Sequence, residues 1–294
     1  MTDSRRLAFV GLGVMGYPMA GHLAAAGHQV VVYNRTQTKA DQWCGEHGGS
    51  SVETPREAAV GAEIVFMCVG NDEDVRSVAL SEEGVIQGIE AGTIVVDHTT
   101  ASAELAVELE SAVNAKNADF LDAPVSGGQA GAENGQLTVM LGGEEAVFAR
   151  AESVIGCYAK SSRLMGAVGA GQLTKMVNQV CIAGILQGLS EGLHLAEKAG
   201  LEVEDVVEVI SKGAAQSWQM DNRAGTMAKR EFEFGFAVNW MRKDLDIALA
   251  TARKVGARMP LAGLVDQFYA DIQAMGGSRW DTSSLIERLR RVEE

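Results

Sequence analysis

The chain has 294 residues, of which 47% are hydrophobic and 22% are charged, which excludes extensive disorder and predicts two domains. The formal net charge of −14 excludes nucleic acid and anionic membrane surfaces as partners, so any bound phosphate must be held by local donors. The short polar start predicts no signal peptide. Four cysteines without C-x-x-C spacing predict buried thiols in a reducing compartment, the cytoplasm.

The first half of the chain alternates short apolar runs with helical patterns. Apolar, often β-branched runs predict strands at Leu7–Val10, Val30–Tyr33, Ile64–Val69, Gly92–Val96, Asp119–Leu121 and Leu137–Leu141. Helical spacing predicts helices at Met15–Ala26, Asp72–Val78 and Ala103–Asn114. The alternation predicts an α/β fold, a doubly wound parallel sheet with helices on both faces.

The pattern changes in a glycine-rich stretch between residues 166 and 171, after which only helices are predicted. They lie at Leu173–Ala199, Val203–Ser211, Met241–Val255, Leu261–Met275 and Ser283–Val292. Polar residues interrupt the apolar part of the first, long helix, which predicts a buried helix rather than a membrane span. The predicted domains are therefore residues 1–165, built on the sheet, and residues 166–294, all-helical and joined to the first by that long helix.

A glycine-rich loop follows the first predicted strand and opens the first helix. It reads Gly11-Leu12-Gly13-Val14-Met15-Gly16, a G-x-G-x-x-G sequence within a strand-helix-strand unit. The first glycine permits the tight turn, the second lets the backbone approach a pyrophosphate, and the third allows close packing of helix on strand. The pyrophosphate meets the N–H groups at the helix N-terminus. The loop therefore predicts a dinucleotide-binding domain.

The choice of dinucleotide is predicted at the end of the second strand. NAD sites usually carry an Asp or Glu there that binds the ribose 2′-hydroxyl, whereas this chain has Asn34-Arg35-Thr36. Arg35 can pair with a 2′-phosphate through its planar fork, and Asn34 and Thr36 can donate hydrogen bonds to it. NADP is therefore the predicted cofactor, with NAD also possible. The alternative is that Arg35 is a solvated loop residue that stacks on the adenine.

Four segments in order resemble the β-hydroxyacid dehydrogenase family. They are the glycine loop followed by Pro18-Met19-Ala20, the segment Asp122-Ala123-Pro124-Val125-Ser126-Gly127-Gly128, the segment Gly169-Ala170-Gly171-Gln172-Leu173-Thr174-Lys175-Met176-Val177-Asn178, and Lys243-Asp244-Leu245. This family includes 3-hydroxyisobutyrate dehydrogenase, tartronate semialdehyde reductase and succinic semialdehyde reductases. The resemblance implies an NAD(P)-binding Rossmann domain, a helical substrate and oligomerisation domain, and a homodimer or homotetramer.

The resemblance makes Lys175 the candidate general acid and base of hydride transfer to or from a short 3-hydroxy acid. Asn178 at i+3 and Gln179 at i+4 share its helix face, and Asn178 is expected to hold the lysine or the substrate. The sequence alone leaves open an exposed helix lysine. Ser126, Gly127 and Gly128 offer a hydroxyl and unhindered N–H groups to a substrate carboxylate, or form a turn that only the fold requires.

Further contacts are predicted around the cofactor. Val69, Gly70 and Thr100 follow predicted strands, and ligands of such sheets bind at the carboxyl ends of the strands. The resemblance places Lys243 near the nicotinamide or the substrate, with a structural ion pair as the alternative. The histidines show no metal-ligand spacing, so no metal is predicted. His98, next to the candidate cofactor residues, is expected to be structural.

Two rival functions remain open from the sequence. Imine reductases share this architecture but usually lack a lysine at the position of Lys175. Non-catalytic dinucleotide-binding or assembly proteins on the same scaffold lose the lysine or the substrate loop, and this chain keeps both. The expected partner is a small carboxylic acid, whose identity depends on residues around Ser126, Trp218 and the segment 234–240.

Overall fold

The computed structural model describes residues 4–291, so the extreme ends of both predicted domains, residues 1–3 and 292–294, lie outside the described part. The chain separates into two compact units, residues 1–175 and 176–294. The dividing point lies inside one long helix, Ala170–Lys198. The division into independent domains at residue 165 stays a prediction, because this helix belongs to both units.

The first unit is built on a mostly parallel sheet. Its strands are β1 (Arg6–Val10), β2 (Gln29–Tyr33), β3 (Ser50–Ser51), β4 (Ile64–Met67), β5 (Ile94–Asp97), β6 (Asp119–Asp122), β7 (Val125–Ser126), β8 (Leu137–Gly143) and β9 (Ala159–Leu164). They lie in the order β3-β2-β1-β4-β5-β6-β8-β7, with β9 beside β8. All pairs from β3 to β6 are parallel, which confirms the predicted Rossmann-type class. Strand β8 runs antiparallel to β6 and β7, a feature that the run of apolar residues did not reveal.

Helices and two apolar clusters cover this sheet. The helices are α1 (Gly16–Ala25), α2 (Gln37–His47), α3 (Pro55–Ala59), α4 (Asp72–Leu80), α5 (Ala103–Asn114), α6 (Gly128–Glu133) and α7 (Glu145–Ile155), with a 3₁₀ turn at Val85–Gln87. Alternate residues of β1 enter different clusters: Leu7 and Phe9 join one, Ala8 and Val10 the other. A strand that is buried on both faces reads as a continuous apolar run, which is why β1 was predictable.

Among its described residues, the second unit consists of helices joined by loops, and its only strand-like pairing is one isolated bridge between Ala237 and Asp281. Its helices are the continuation of α8 (Ala170–Lys198), α9 (Val203–Ile210), α10 (Trp218–Ala228), α11 (Val238–Val255), α12 (Pro260–Ala274) and α13 (Leu285–Arg291), with a 3₁₀ turn at Thr282–Ser284. The main apolar cluster joins α11 to α12 through buried residues such as Met241, Leu245, Val265 and Tyr269. Helix α10 was not predicted from the sequence, because its apolar residues are few.

The sequence also predicted buried thiols and the absence of a membrane-spanning helix. Among the described residues no disulfide forms. Cys181 is exposed on α8, so the expectation of buried thiols is wrong for it, and Cys44, Cys68 and Cys157 meet that expectation only in part because they are half-buried. Within residues 4–291 no helix combines the length and the apolar character that a membrane crossing requires.

Candidate active site

The glycine loop joins β1 to α1, and its three glycines meet different surroundings. Gly11 has a φ of +97°, and a Cβ there would collide with the carbonyl of Cys68. A Cβ on Gly16 would collide with the carbonyl of Gly11. A Cβ on Gly13 would meet nothing within 4 Å. The outer glycines are thus required for packing, and the exposed middle one leaves an open cradle at the N-terminus of α1, which fits a dinucleotide pyrophosphate.

Asn34 connects this loop to the end of β2. Its side-chain Oδ1 accepts a hydrogen bond from the Leu12 N–H at 3.0 Å, and its Nδ2 donates to the Thr36 carbonyl at 3.0 Å. The Asn34 amide therefore braces two loops in addition to any contact with a cofactor. Arg35 is far more accessible, since 88% of its side-chain surface is exposed, and it forms an ion pair with Asp74. The Thr36 hydroxyl does not cap α2.

A second group of hydrogen bonds fixes the loop after β5. The Val69 N–H, which follows β4, donates to Thr99 Oγ1 at 3.0 Å. The amide of Gln172, on the first turn of α8, donates to the Thr99 carbonyl at 2.7 Å and accepts from the Ala101 N–H at 3.0 Å. Thr100 is thereby held between two anchored neighbours. The carboxyl ends of β4 and β5 and the start of α8 form one connected structure within the first unit.

Asp122 attaches the start of α8 to the end of β6. Its buried carboxylate accepts hydrogen bonds from the N–H groups of Gly169 at 2.7 Å and Gln172 at 2.8 Å. These are donors that a helix N-terminus leaves without intrahelical partners, so Asp122 caps α8 from a distant strand. A Cβ on Gly171 would lie 2.7 Å from Asp122 Oδ2, so this contact requires a glycine there. Burial raises the pKa of Asp122, and its backbone hydrogen bonds oppose that rise.

Asp122 is a functional candidate that the sequence analysis did not single out, although it opens the substrate-loop motif. Its signal is an acidic residue at the end of a strand combined with glycines at the start of the following long helix. A carboxylate can bond to helix N–H groups only if the helix backbone comes close to it, and a glycine, which has no Cβ, permits that approach.

Lys175 lies one turn beyond Gln172 on α8 and is buried, with 6% of its surface exposed. Three residues of helix advance the chain by about 4.5 Å, so the backbone of Lys175 lies about one turn from Gln172, which is bonded to the loop after β5. The predicted carboxylate loop lies in the same unit. Ser126 belongs to β7 and pairs with Thr138, while Gly127 and Gly128 adopt φ values of +132° and +62° that favour glycine.

The site residues in the second unit form a chain of polar contacts. Asn178 Nδ2 donates to Gln179 Oε1 at 2.8 Å, and Gln179 Nε2 donates to Asp244 Oδ2 at 2.6 Å. The other oxygen of the fully buried Asp244 lies 3.1 Å from Lys243 Nζ. Asp244 thus links Lys243 to the helix that carries Asn178. The structure brings these four residues together within their own unit.

His98 has a structural environment, as expected. Its ring is buried, with Nδ1 2.6 Å from the Ala123 carbonyl and Nε2 2.7 Å from the Tyr158 hydroxyl. A carbonyl only accepts, so Nδ1 carries the proton and Nε2 accepts from Tyr158. Burial lowers the pKa of His98 to about 4, and the ring is neutral. Among residues 4–291 no cluster of His, Cys, Asp or Glu has the geometry of a metal site.

Comparison with known proteins agrees with this architecture. Residues 6–169 match the profile of the NAD binding domain of 6-phosphogluconate dehydrogenase. Residues 169–289 match the profile described as NAD-binding of NADP-dependent 3-hydroxyisobutyrate dehydrogenase.

Individual relatives are similar over nearly their whole length. An uncharacterized oxidoreductase of Shewanella frigidimarina is 60% identical over 97% of this chain and 98% of its own. The 2-hydroxy-3-oxopropionate reductase of Escherichia coli is 36% identical over 97% of each chain. The solved structure of Mycobacterium tuberculosis 3-hydroxyisobutyrate dehydrogenase with L-serine is 31% identical, covers 98% of this chain and 99% of its own, and has a TM-score of 0.88.

The fold, the glycine loop and these relatives define an NAD(P)-dependent oxidoreductase that acts on CH–OH groups. Within that class, the chain belongs to the β-hydroxyacid dehydrogenase family.

Proposed function

We propose that this enzyme moves a hydride between NADP(H) and a short 3-hydroxy acid or its semialdehyde, as 3-hydroxyisobutyrate dehydrogenase does. The E. coli relative is named for a three-carbon semialdehyde acid, and the Mycobacterium structure contains L-serine, which is itself a 3-hydroxy acid. Both compounds carry an oxygen on the carbon that is β to a carboxylate. A short acid of this kind is therefore the proposed substrate class.

The observation that carries the proposal is the buried amine of Lys175 on a helix whose first turn is fixed from two sides. Asp122 holds the backbone of that turn, and the Gln172 side chain fastens it to the loop after β5. The nicotinamide supplies or accepts the hydride when the cofactor is bound. In reduction, Lys175 Nζ donates a proton to the carbonyl oxygen as the carbon gains the hydride; in oxidation it accepts the hydroxyl proton.

The remaining proposed residues bind and orient. Ser126 and the N–H groups of Gly127 and Gly128 hold the substrate carboxylate. Asn178 uses its amide hydrogen on Gln179, which leaves its carbonyl oxygen to accept from an ammonium or a substrate hydroxyl. Lys243, oriented by the buried Asp244, contributes positive charge toward the substrate or nicotinamide.

The proposed cofactor contacts follow the glycine loop and the strand ends. The residues are Gly11, Leu12, Gly13, Val14, Met15, Gly16, Asn34, Arg35, Thr36, Val69, Gly70, Thr100 and Lys243. The exposed Arg35 guanidinium supports a preference for NADP, because it can pair with a 2′-phosphate and no carboxylate stands at the end of β2. NAD binds more weakly at the same site.

A substrate panel tests the reaction. NADPH consumption is followed with tartronate semialdehyde, succinic semialdehyde, methylmalonate semialdehyde, glyoxylate and a cyclic imine. We expect turnover with at least one semialdehyde acid and none with the imine, since Lys175 replaces the residue types that imine reductases carry. Turnover of the imine alone would support the rival reaction. Tight NADPH binding without any turnover would support a binding protein.

We also propose that the enzyme works as a homodimer or homotetramer in the cytoplasm. Support comes from an exposed apolar row on α8, formed by Val177, Cys181, Ile185 and Leu195. An apolar row of this length is typical of a surface that a second chain covers. Light scattering coupled to gel filtration measures the mass, and a single-chain mass at micromolar concentration would contradict the proposal.

A further inference from the structure

An ion pair joins the loop after β2 to the first turn of α4. Arg35 Nη1 lies 3.6 Å from Asp74 Oδ1, and the two side chains remain 88% and 35% exposed. Both groups therefore stay accessible to a ligand. The proposed 2′-phosphate partner, Arg35, already has a carboxylate of the same protein beside it.

The backbone that carries Asp74 is fixed. The Asp74 N–H donates to Asn71 Oδ1 at 2.8 Å, and Asn71 is the N-cap of α4. Strand β1 lies between β2 and β4 in the sheet, so the loops after β2 and β4 flank the glycine loop on either side. Ligands of such sheets bind at these carboxyl ends. Arg35 and Asp74 thus approach each other from both sides of the proposed dinucleotide site.

We propose that Asp74 is a specificity-determining residue, whose carboxylate competes with the 2′-phosphate of NADP for Arg35 and so limits the preference for NADP over NAD. This inference rests on the proposed cofactor site at Arg35. A phosphate monoester carries a charge of about −1.5 to −2 near pH 7, which the Asp74 carboxylate repels. The 2′-hydroxyl of NAD is neutral and can donate a hydrogen bond to a carboxylate. Asp74 therefore disfavours NADP and leaves NAD unharmed.

The three acidic residues in the first turn of α4 have different surroundings, so the effect of Asp74 can be measured apart from those of its neighbours. The Asp72 carboxylate accepts hydrogen bonds from Ser102 N and Oγ, at 3.0 and 2.5 Å, so it is engaged with another loop. Glu73 is exposed on the same turn, and the Arg35 ion pair is made with Asp74 instead. Glu73→Gln thus removes the same charge from the same helix end without touching the ion pair.

Binding of cofactor fragments tests the proposal without catalysis. Dissociation constants of 2′,5′-ADP and 5′-AMP are measured by calorimetry on the full chain and on the variants Asp74→Asn and Glu73→Gln. For Asp74→Asn we expect the preference for 2′,5′-ADP to rise about three- to tenfold, mainly through tighter binding of 2′,5′-ADP. For Glu73→Gln we expect a change below about twofold, as is usual for a screened surface charge. An unchanged preference in Asp74→Asn, or an equal rise in Glu73→Gln, would overturn the proposal.

The same measurement in an Arg35→Ala background tests the competition itself. There the effect of Asp74→Asn should shrink, because the shared partner is gone, whereas an undiminished effect would overturn competition for Arg35. The preference of the unmodified chain judges the proposed function separately. A ratio near one that Arg35→Ala does not alter would contradict the NADP assignment and, with it, the competition for Arg35. A clear preference for 2′,5′-ADP that Arg35→Ala lowers and Asp74→Asn leaves unchanged would keep the NADP assignment and overturn only the role of Asp74.

Discussion

The two ends of the proposed dinucleotide site in the first unit are built in opposite ways. At the start of α8, Asp122 and Gln172 are buried and make hydrogen bonds to backbone groups of other elements. At the end of β2, Arg35 meets Asp74 in an exposed ion pair. Buried, fully bonded groups are costly to disturb, whereas exposed ion pairs contribute little to stability.

This difference separates chemistry from selectivity. The buried end holds the helix turn that precedes Lys175 and tolerates little movement, which suits a proton-transfer group that must keep its geometry. The exposed end can exchange partners at low cost, which suits the choice between two cofactors. Substitutions at the buried end should therefore alter rate or stability strongly, and substitutions at the exposed end should alter selectivity modestly.

The largest effect is expected at Lys175. Lys175→Ala removes the proposed proton donor and acceptor, so kcat should fall by about 10²- to 10⁴-fold. NADPH affinity, measured by fluorescence titration, should stay within about threefold, because Lys175 is proposed to act on the substrate oxygen and not on the cofactor. Lys198→Ala, in the last turn of the same helix, is the matched control and should leave kcat unchanged. A rate near that of the unmodified enzyme in Lys175→Ala would end the assignment.

Asp122→Ala comes next, because it leaves the N–H groups of Gly169 and Gln172 buried without their acceptor. The free energy of unfolding should fall by about 2–3 kcal/mol, the combined scale of a lost helix cap and unsatisfied buried donors. Urea unfolding followed by circular dichroism measures this loss. Asp122→Asn keeps an acceptor oxygen for one of the two N–H groups and should lose less than Asp122→Ala; equal losses would contradict the capping role.

The third effect is a pH dependence that originates near the same anchored loop. Burial raises the pKa of Asp97 from 3.8 to about 7, against hydrogen bonds from Thr99 that lower it. The folded state therefore binds more protons than the unfolded state in this window, and the stability from protonated Asp97 is lost as the pH rises toward 7. His98 acts in the opposite sense: its pKa falls from 6.5 to about 4, so stability is lost as the pH drops through that range.

Asp97→Asn removes only the first of these two opposing contributions. Between about pH 7 and about pH 5, the unmodified protein should gain about 2 kcal/mol of unfolding free energy, because its folded state takes up a proton on Asp97. The variant should lack this gain, because it has no carboxylate at position 97. Urea titrations at both pH values give the difference directly. Parallel pH profiles for the two proteins would show that Asp97 is ionised in the folded state throughout.

The smallest of these effects concerns the exposed end. Arg35→Ala should reduce the ratio of kcat/KM for NADPH over NADH by about tenfold, the scale of one charge-assisted contact to a phosphate. The change should appear mainly in KM for NADPH, with kcat nearly constant, since Arg35 is proposed to contact the 2′-phosphate and not the reacting groups. A fall in kcat with both cofactors would contradict this division of roles, because it would show that Arg35 affects the reaction rate and not only the choice of cofactor.

Much of the fold was predictable because local patterns encode it. Strands such as β1 and β4, buried on both faces, read as apolar runs, and the glycine loop follows from steric demands at Gly11 and Gly16. Helices α2, α3, α6, α7 and α10 were not predicted. The five and six residues of α3 and α6 are too few to show a helical period. Side-chain caps at Thr54 and Ser217 mark the starts of α3 and α10, whereas α2, α6 and α7 begin without one. Strand β8 was predicted as Leu137–Leu141, but its antiparallel direction was not, because strand direction leaves no mark on composition.

By itself, the sequence determined the class of the protein: the doubly wound sheet, the helical second half, the dinucleotide loop and the segment around Lys175 are all legible from residue type and spacing. Only the tertiary structure decided how those pieces are held. Asp122 reaches Gly169 and Gln172 across 47 and 50 residues, and Gln172 reaches the loop after β5 across more than 70. Asp74 reaches Arg35 from the first turn of α4. Local patterns cannot encode such pairings, because a hydrogen bond or ion pair between distant residues depends on the path of the whole backbone between them.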